Sequence, residues 1–154
     1  MLITLMTDAS HCVQTGAAGF GFWCASNRGK LAGGKPLKGF VKDSYEAEMK
    51  GVVNALQISI TAGLILNGDT VLIQLDNKGV IRCIEKVSKP RSDVKNVMGY
   101  LFTLAEEFDL TIKCRHVKGH SKNKDSRFLA NHHCDSRAKT QMRLARKKIK
   151  SLKV

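Results

Sequence analysis

The sequence predicts a mixed α/β fold in which helices pack on a five-stranded sheet. Glycine-bearing turns separate three strand-like segments in the first part of the chain, and a helical pattern begins near Asp43. The run 71–75 is continuously apolar, which is typical of a parallel strand covered on both faces. Because 154 residues are enough for one core and neither a repeat nor a linker divides them, we expect a single domain over residues 1–154.

The first three strands are predicted to be antiparallel neighbours. Strand one covers Leu2–Ser10, whose apolar run ends abruptly at Asp8. The aromatic segment Gly19–Ala25 and the short run Lys30–Gly34 flank a turn at 26–29, which indicates a hairpin with glycines at its bends. Asp8 is also good turn material, so its position alone does not distinguish a turn from a functional site.

A helix and a parallel strand are expected next. Apolar residues recur at helical spacing after Asp43 or Ser44, either of which can cap the helix, and the pattern ends within 63–68. The strand at 71–75 then ends on a second carboxylate, Asp76.

The remainder of the chain is predicted to contain three helices and one strand. A short helix is expected around Lys78–Val87, followed by an amphipathic helix over Asp93–Phe108 and a fifth strand over Leu110–Val117. The polar segment Lys118–Phe128 has the composition of a loop, and a final helix is expected to begin at 129–130.

The charge balance indicates a polyanionic partner. Lys and Arg outnumber Asp and Glu by 26 to 13, which gives a formal net charge of +13. Such a surface most often binds nucleic acid. No run approaches the ~18 apolar residues of a membrane span and no secretory leader is recognisable, so we expect a soluble, cytoplasmic protein. The irregularly spaced cysteines fit reduced thiols in that compartment: Cys12, Cys24, Cys83, Cys114 and Cys134.

The C-terminal segment from about residue 137 is strongly basic. Arg137–Lys153 carries eight Lys or Arg and no acid. One interpretation is a solvated helix end, because charge runs are often no more than that. The other is a surface that follows phosphates and displaces their counterions.

Acidic residues from separate segments are predicted to meet at one edge of the sheet. Parallel strands place their carboxyl ends at the same edge, so Asp8 and Asp76 become neighbours. Glu48 lies on the i, i+4 row of the first helix with Val52 and Leu56, which face the sheet.

The last helix supplies the fourth acid. Asp135 lies beside the inward row Cys134–Ala138–Met142. Glu46, in contrast, is about 200° around the first helix from Glu48, so we expect it to face solvent and to serve as an internal control.

Such a cluster needs compensating positive charge. Burying several ionised carboxylates without compensation costs several kcal/mol. Mg²⁺ prefers oxygen ligands and binds through a few carboxylates together with substrate phosphate. Two such ions about 4 Å apart can activate water and stabilise the leaving oxygen of a phosphodiester.

An ordered set of motifs spans nearly the whole chain. These motifs are Thr7-Asp8-Ala9-Ser10 with Gly19-Phe20-Gly21, Ala32-Gly33-Gly34, Ala47-Glu48-Met49, Leu75-Asp76-Asn77, Val117-Lys118-Gly119-His120 and Asn131-His132-His133-Cys134-Asp135. In order and spacing they resemble the type 1 ribonuclease H family, from Thr7 to about Lys139.

The resemblance implies a ribonuclease H-like fold and an endonuclease that cuts the RNA strand of RNA/DNA hybrids with two Mg²⁺ or Mn²⁺ ions. Products would carry 5′-phosphate and 3′-hydroxyl ends. Asp8 is implied as the ligand shared by both ions, Glu48 and Asp76 as its partners, and Asp135 as a ligand of the second ion. His120 matches the family's histidine that assists proton transfer or product release.

Positions that contact the hybrid depart in part from the family pattern. Tyr45 and Ser44 stand where the family commonly has Asn, Asn77-Lys78 replaces a common Ser-Gln, and Ser121–Phe128 lacks the usual Gly-x-x-x-Asn spacing. The implied substrate-binding residues are Ser10, Ser44, Tyr45, Asn77, Lys78 and Asn131.

Other interpretations remain open from the sequence. The chain could be a related DNA-directed nuclease, such as a junction resolvase or an integrase-like strand transferase, or a non-catalytic nucleic-acid-binding domain. We expect a monomer. A zinc site is a further alternative, although its spacing fits no zinc finger and core burial is favoured for Cys114 and His116. Its residues would be Cys114, His116, His120, His132, His133 and Cys134.

Overall fold

The computed structural model describes residues 1–118 and 126–152 and contains a five-stranded mixed sheet of order β3-β2-β1-β4-β5. The first three strands are antiparallel, whereas β4 runs parallel to β1 and β5 parallel to β4. The predicted fold class is therefore confirmed. The strands are β1 (Leu2–His11), β2 (Ala18–Ser26), β3 (Gly29–Pro36), β4 (Thr70–Leu75) and β5 (Thr111–His116).

Helices cover both faces of the sheet. Side chains alternate between the faces along each strand, so Ile3 and Leu5 join the main core with α1, α2 and α3, while Met6 packs against α4. None of the described helices is long and apolar enough to cross a bilayer. The helices of the described residues are α1 (Ser44–Thr61), α2 (Lys78–Ile84), α3 (Lys95–Glu107) and α4 (Ser126–Leu152).

Several element ends differ from the predictions. Asp43 caps α1 as expected, since its side chain accepts a hydrogen bond from the Glu46 amide at 3.0 Å. The predicted helix over Asp93–Phe108 instead starts with a 3₁₀ turn at Ser92–Val94. The last helix begins at Ser126, earlier than 129–130, because helical hydrogen bonding starts before the first apolar residue that marked it in the sequence.

Strand β1 extends beyond the acid that was predicted to end it. Its pairing with β4 stops at Met6, but its pairing with β2 continues from Asp8 opposite Gly21 to His11 opposite Ala18. On the β2 side Asp8 therefore lies within the strand pairing, whereas on the β4 side it lies beyond the last paired residue.

Glycines allow α4 to lie directly on the sheet. A Cβ atom on Gly21 would stand 2.3 Å from the Cys134 carbonyl oxygen, and one on Gly19 would stand 2.4 Å from the Met142 amide nitrogen. Both distances are shorter than real Cβ atoms show, so these strand positions must lack a side chain. The helix that carries Asp135 is thus held close to β2.

An ion pair with a buried carboxylate joins the β2–β3 turn to the start of β4. The Arg28 guanidinium donates to both carboxylate oxygens of Asp69 at 2.6 and 3.0 Å, and the Leu66 amide donates to Asp69 at 2.8 Å. Asp69 is only 3% exposed. Its hydrogen bonds with Arg28 lower the pKa of this carboxyl to about 2.

We expect Gly21→Ala to destabilise the protein by about 1–3 kcal/mol, because the added methyl group overlaps the α4 backbone. Gly99→Ala is the matched control, since a Cβ there meets nothing within 4 Å and Gly99 lies inside α3. Ala has the higher helix propensity, so the control should be neutral or stabilising. Urea unfolding measures both, and equal stabilities would contradict the close contact.

We expect Asp69→Asn to cost about 2 kcal/mol at neutral pH, because the hydrogen bonds of a buried charged group are lost. A carboxyl whose folded pKa is lowered stabilises the protein above its unfolded pKa, and this contribution disappears as the pH falls through the folded value. Wild-type stability should therefore fall between about pH 4 and pH 2, and the variant should lose less over that window.

The matched control for this prediction is Asp109→Asn. Asp109 is exposed and has φ 50°, a conformation that Asn tolerates. Its thermal unfolding profile against pH should follow the wild type, and an Asp69 variant that did the same would refute a stabilising role for the ion pair.

Candidate active site

Two of the predicted acids lie at the edge where β4 ends. Met6 pairs with Gln74, and extending this register by two residues along each strand brings Asp8 opposite Asp76. Asp76 directly follows β4, and its side chain is 49% exposed. The parallel pairing therefore places both carboxylates at one edge, as the sequence predicted.

The first helix brings Glu48 to the same edge. The Ala9 amide lies 2.9 Å from Asp8 Oδ1 and 3.2 Å from Glu48 Oε1, so one N–H group serves two carboxylates. Glu48 therefore points to β1, in agreement with its predicted row on α1.

The fourth acid comes from α4. The carboxyl group of Asp135 lies close enough to Asp8 to raise the pKa of that residue, and it is 3.1 Å from Lys139 Nζ one turn further along the helix. Cys134 and Ala138 on either side are fully buried against the sheet, which fixes the direction of this part of the helix. The structure thus brings together Asp8, Glu48, Asp76 and Asp135.

The pKa values of two of these acids, Asp8 and Glu48, are raised. Burial raises the pKa of Asp8 to about 7, with further contributions from its hydrogen bond to Asp135 and from repulsion by that carboxyl. Burial also raises the pKa of Glu48 well above its usual value, helped by repulsion from Asp8 and then Asp76. Ionising these acids is therefore less favourable than for isolated carboxyl groups, and a nearby cation would lower the free energy that their ionisation requires.

His116 contacts the cluster in a way that sequence analysis missed. Its Nε2 lies 3.0 Å from Asp76 Oδ1, and its side chain is 35% exposed rather than buried in the core as expected. The β4–β5 register explains this position, because His116 pairs with Leu75, the residue before Asp76. Hydrophobic spacing does not fix that register, so the sequence pattern held no signal for this contact.

The prediction that Glu46 faces solvent was wrong. Glu46 is 8% exposed, accepts a hydrogen bond from the Lys42 amide at 3.0 Å and lies 2.7 Å from Lys50 Nζ. The helical projection ignored the segment that precedes α1, which covers this side of the first turn. Its partners are lysine groups, so it still differs from Glu48 in its surroundings.

Three of the predicted substrate-binding residues make contacts within the protein. The Tyr45 hydroxyl is 3.1 Å from Cys83 Sγ, and Asn77 Oδ1 caps α2 by accepting from the Val80 amide. Asn131 is 7% exposed, and its Nδ2 donates to the Lys118 carbonyl oxygen at 3.5 Å.

The other predicted positions are more accessible or are not described. Ser44 and Lys78 are exposed at the starts of α1 and α2, and Ser10 is half-buried in β1. His120 lies outside the described residues, as does the segment 121–125.

The zinc alternative finds no support in the described residues. Burial raises the pKa of Cys114 and of Cys134 to about 12, which favours the thiol form of both over the thiolate that binds zinc. His133 Nε2 lies 2.6 Å from Arg137 Nε instead. All five cysteines are free thiols.

The donor chemistry of the acidic edge fits a hard divalent cation. Among the described residues, no three His, Cys, Asp or Glu side chains already surround one point as metal ligands. The acids present only carboxylate oxygens, however, and two of them share a single N–H group. Oxygen donors of this kind suit Mg²⁺.

Comparison with known proteins gives fold neighbours at low sequence identity. RNase H1 from the halophilic archaeon Halobacterium salinarum NRC-1 is 18% identical, with a TM-score of 0.73 over 94% of this chain and 100% of its own. The N-terminal RNase H domain of Rv2228c from Mycobacterium tuberculosis is 19% identical, with a TM-score of 0.73 over 96% and 97% of the two chains.

A third neighbour was solved with nucleic acid. LC11-RNase H1 in complex with an RNA/DNA hybrid is 15% identical, with a TM-score of 0.73 over 93% of this chain and 98% of its own. No curated protein sequence matches the chain. The RNase H family model, in contrast, matches residues 2–143. The chain therefore belongs to the RNase H family.

Proposed function

We propose that this protein hydrolyses the RNA strand of RNA/DNA hybrids with two divalent metal ions, Mg²⁺ or Mn²⁺, and leaves 5′-phosphate and 3′-hydroxyl ends. The observation that carries the proposal is the meeting of four carboxylates at one sheet edge in a chain of net charge +13. The hybrid bound in the LC11-RNase H1 structure supports the choice of substrate.

The four acids would hold the metal ions. Asp8 would contact both ions, with Glu48 and Asp76 completing one site and Asp135 the other. When bound, the ions supply positive charge that polarises the scissile phosphodiester and a water molecule. Their charge would also return Asp8 and Glu48 to the ionised form, against the raised pKa values of these groups.

Neighbouring side chains would orient two of these ligands. His116 contacts Asp76, and Lys139 contacts Asp135, each through one carboxylate oxygen. Such supporting contacts typically fix the direction of a ligand and tune its affinity.

Further residues are assigned by the family resemblance. His120 would assist proton transfer or product release, and the substrate contacts would come from positions 10, 44, 45, 77, 78 and 131. Of these, Ser44 and Lys78 are exposed. A single-domain, monomeric and cytoplasmic protein remains our prediction.

We expect cleavage of an RNA/DNA duplex in Mg²⁺ and none in EDTA, with RNA/RNA and DNA/DNA duplexes and a four-way DNA junction left intact. End-labelled substrates on denaturing gels measure this, and enzymatic end analysis identifies the 5′-phosphate. Cleavage of the DNA substrates would instead indicate a DNA-directed nuclease. Binding of the hybrid without cleavage in either metal would indicate a non-catalytic domain.

The inactive control for these assays is Asp8→Asn. The amide removes the charge of the proposed shared ligand, so cleavage should be abolished. Relief of the repulsion within the cluster should leave the melting temperature equal to or above that of the wild type. Retained turnover would refute the assignment of Asp8.

We expect Glu48→Gln to reduce turnover by about 100-fold or more, because a charged metal ligand is lost. Glu46→Gln is the matched control, since it changes the same residue type two positions earlier in α1. Glu46 contacts lysine groups, so its substitution should leave turnover within about threefold of the wild type and lower stability by less than about 1 kcal/mol. Similar activity losses in both variants would contradict the separate roles of these side chains.

A further inference from the structure

A row of cations follows Asp135 along α4. Helical geometry places five basic residues within a sector of about 100° on one flank of the helix, and Lys139 starts the row one turn after Asp135. We call these residues the basic stripe: Lys139, Arg143, Arg146, Lys147 and Lys150. Arg146 is half-buried and the other four are exposed.

The course of α4 carries the stripe away from the acids in a defined direction. Cys134 packs over Gly21, which pairs with Asp8, and Met142 packs over Gly19, which pairs with Ser10. Ala145 then packs against Cys12 and Ala17, beyond the end of β1. The helix therefore runs from the acidic edge in the direction of β1 and past the end of that strand.

The length of the stripe matches several phosphates. From Lys139 to Lys150 the helix rises about 16 Å, and one strand of a duplex carries a phosphate every ~3.4 Å along its axis. The stripe thus spans on the order of five phosphates.

The charges of the stripe are largely uncompensated. No acidic residue follows Asp135 in the sequence. Among the ion pairs of the described residues, Lys139 is the stripe residue that pairs with an acid, and that acid is Asp135. Like charges at i, i+4 spacing destabilise a helix by a few tenths of a kcal/mol each. A polyanion lying on this flank would remove that repulsion.

The other flank of α4 provides a comparison within the same helix. Arg137 and Lys148 lie about 80° and 100° around the helix from the nearest stripe residue, Lys147. Arg137 contacts His133, whose ring packs edge-on against Trp23. The two flanks therefore carry the same residue types but face different surroundings.

We propose that the basic stripe binds the phosphates of one strand of the nucleic acid whose neighbouring segment lies at the acidic edge. This inference rests on the proposed function, because it assigns a path to the substrate beyond the scissile phosphate. Its test also distinguishes between the two interpretations of the basic segment. If the segment is only a solvated helix end, substitutions on the two flanks should affect binding equally.

The test compares two double variants with the same charge change, Arg143→Gln with Lys150→Gln, and Arg137→Gln with Lys148→Gln. Each is made in the full chain carrying Asp8→Asn. Binding of a fluorescent 20-base-pair RNA/DNA hybrid is measured by anisotropy from 50 to 300 mM KCl. Thermal unfolding confirms that both variants are folded.

We expect the stripe variant to lower the slope of log K against log salt by about 2 in magnitude and to weaken binding by one to two orders of magnitude at 0.1 M salt. The control variant should change the slope by less than half as much. Equal slopes for the two variants would overturn the inference.

The outcome can be separated from that of the proposed function. If the chain without Asp8→Asn cleaves the hybrid but the two double variants bind alike, the stripe inference fails while the enzyme assignment stands. If that chain cleaves no hybrid but the stripe variant alone loses salt dependence, the stripe binds nucleic acid and the proposed reaction fails.

Discussion

The unequal pairing of β1 with its two neighbours determines where the acidic edge lies. Pairing with β4 ends at Met6 and Gln74, whereas pairing with β2 continues to His11. Asp8 is therefore held rigidly by β2 on one side and is open toward Asp76 on the other. A carboxylate in a paired strand loses little further conformational freedom on binding an ion, so its position favours preorganisation.

The acidic edge and the basic surface are electrostatically interdependent. Burial and mutual repulsion raise the pKa of Asp8 and of Glu48, which means that gathering negative charge at this edge costs free energy. Lys139 offsets part of it through Asp135, and His116 contacts Asp76 through one ring nitrogen. The rest of the positive charge lies outside, where it can attract a polyanion without neutralising the acids that would hold metal.

Sequence analysis captured the features that depend on local patterns. The types of the main elements, the Asp43 cap and the inward row of Glu48 follow from hydrophobic periodicity and capping chemistry, and the structure has them. Glu46 and His116 were misplaced because their surroundings come from distant segments, the chain before α1 and the register of β5 on β4. A helical projection of α1 does not include the segment before it, and the spacing within β5 does not include its register on β4. The burial of Glu46 and His116 therefore cannot be read from spacing.

The contact between α4 and β2 joins the stability of the fold to the arrangement of the site. Gly19 and Gly21 have no side chain to pack, and the absence of a side chain weakens a strand. In return, the α4 backbone lies directly on β2, so Asp135 reaches Asp8 from the opposite layer of the protein. A larger residue at Gly21 would move the whole helix outward and carry both Asp135 and the cations beyond it away from the sheet edge. One close contact between two backbones therefore sets the position of the fourth acid and the direction of the basic stripe together.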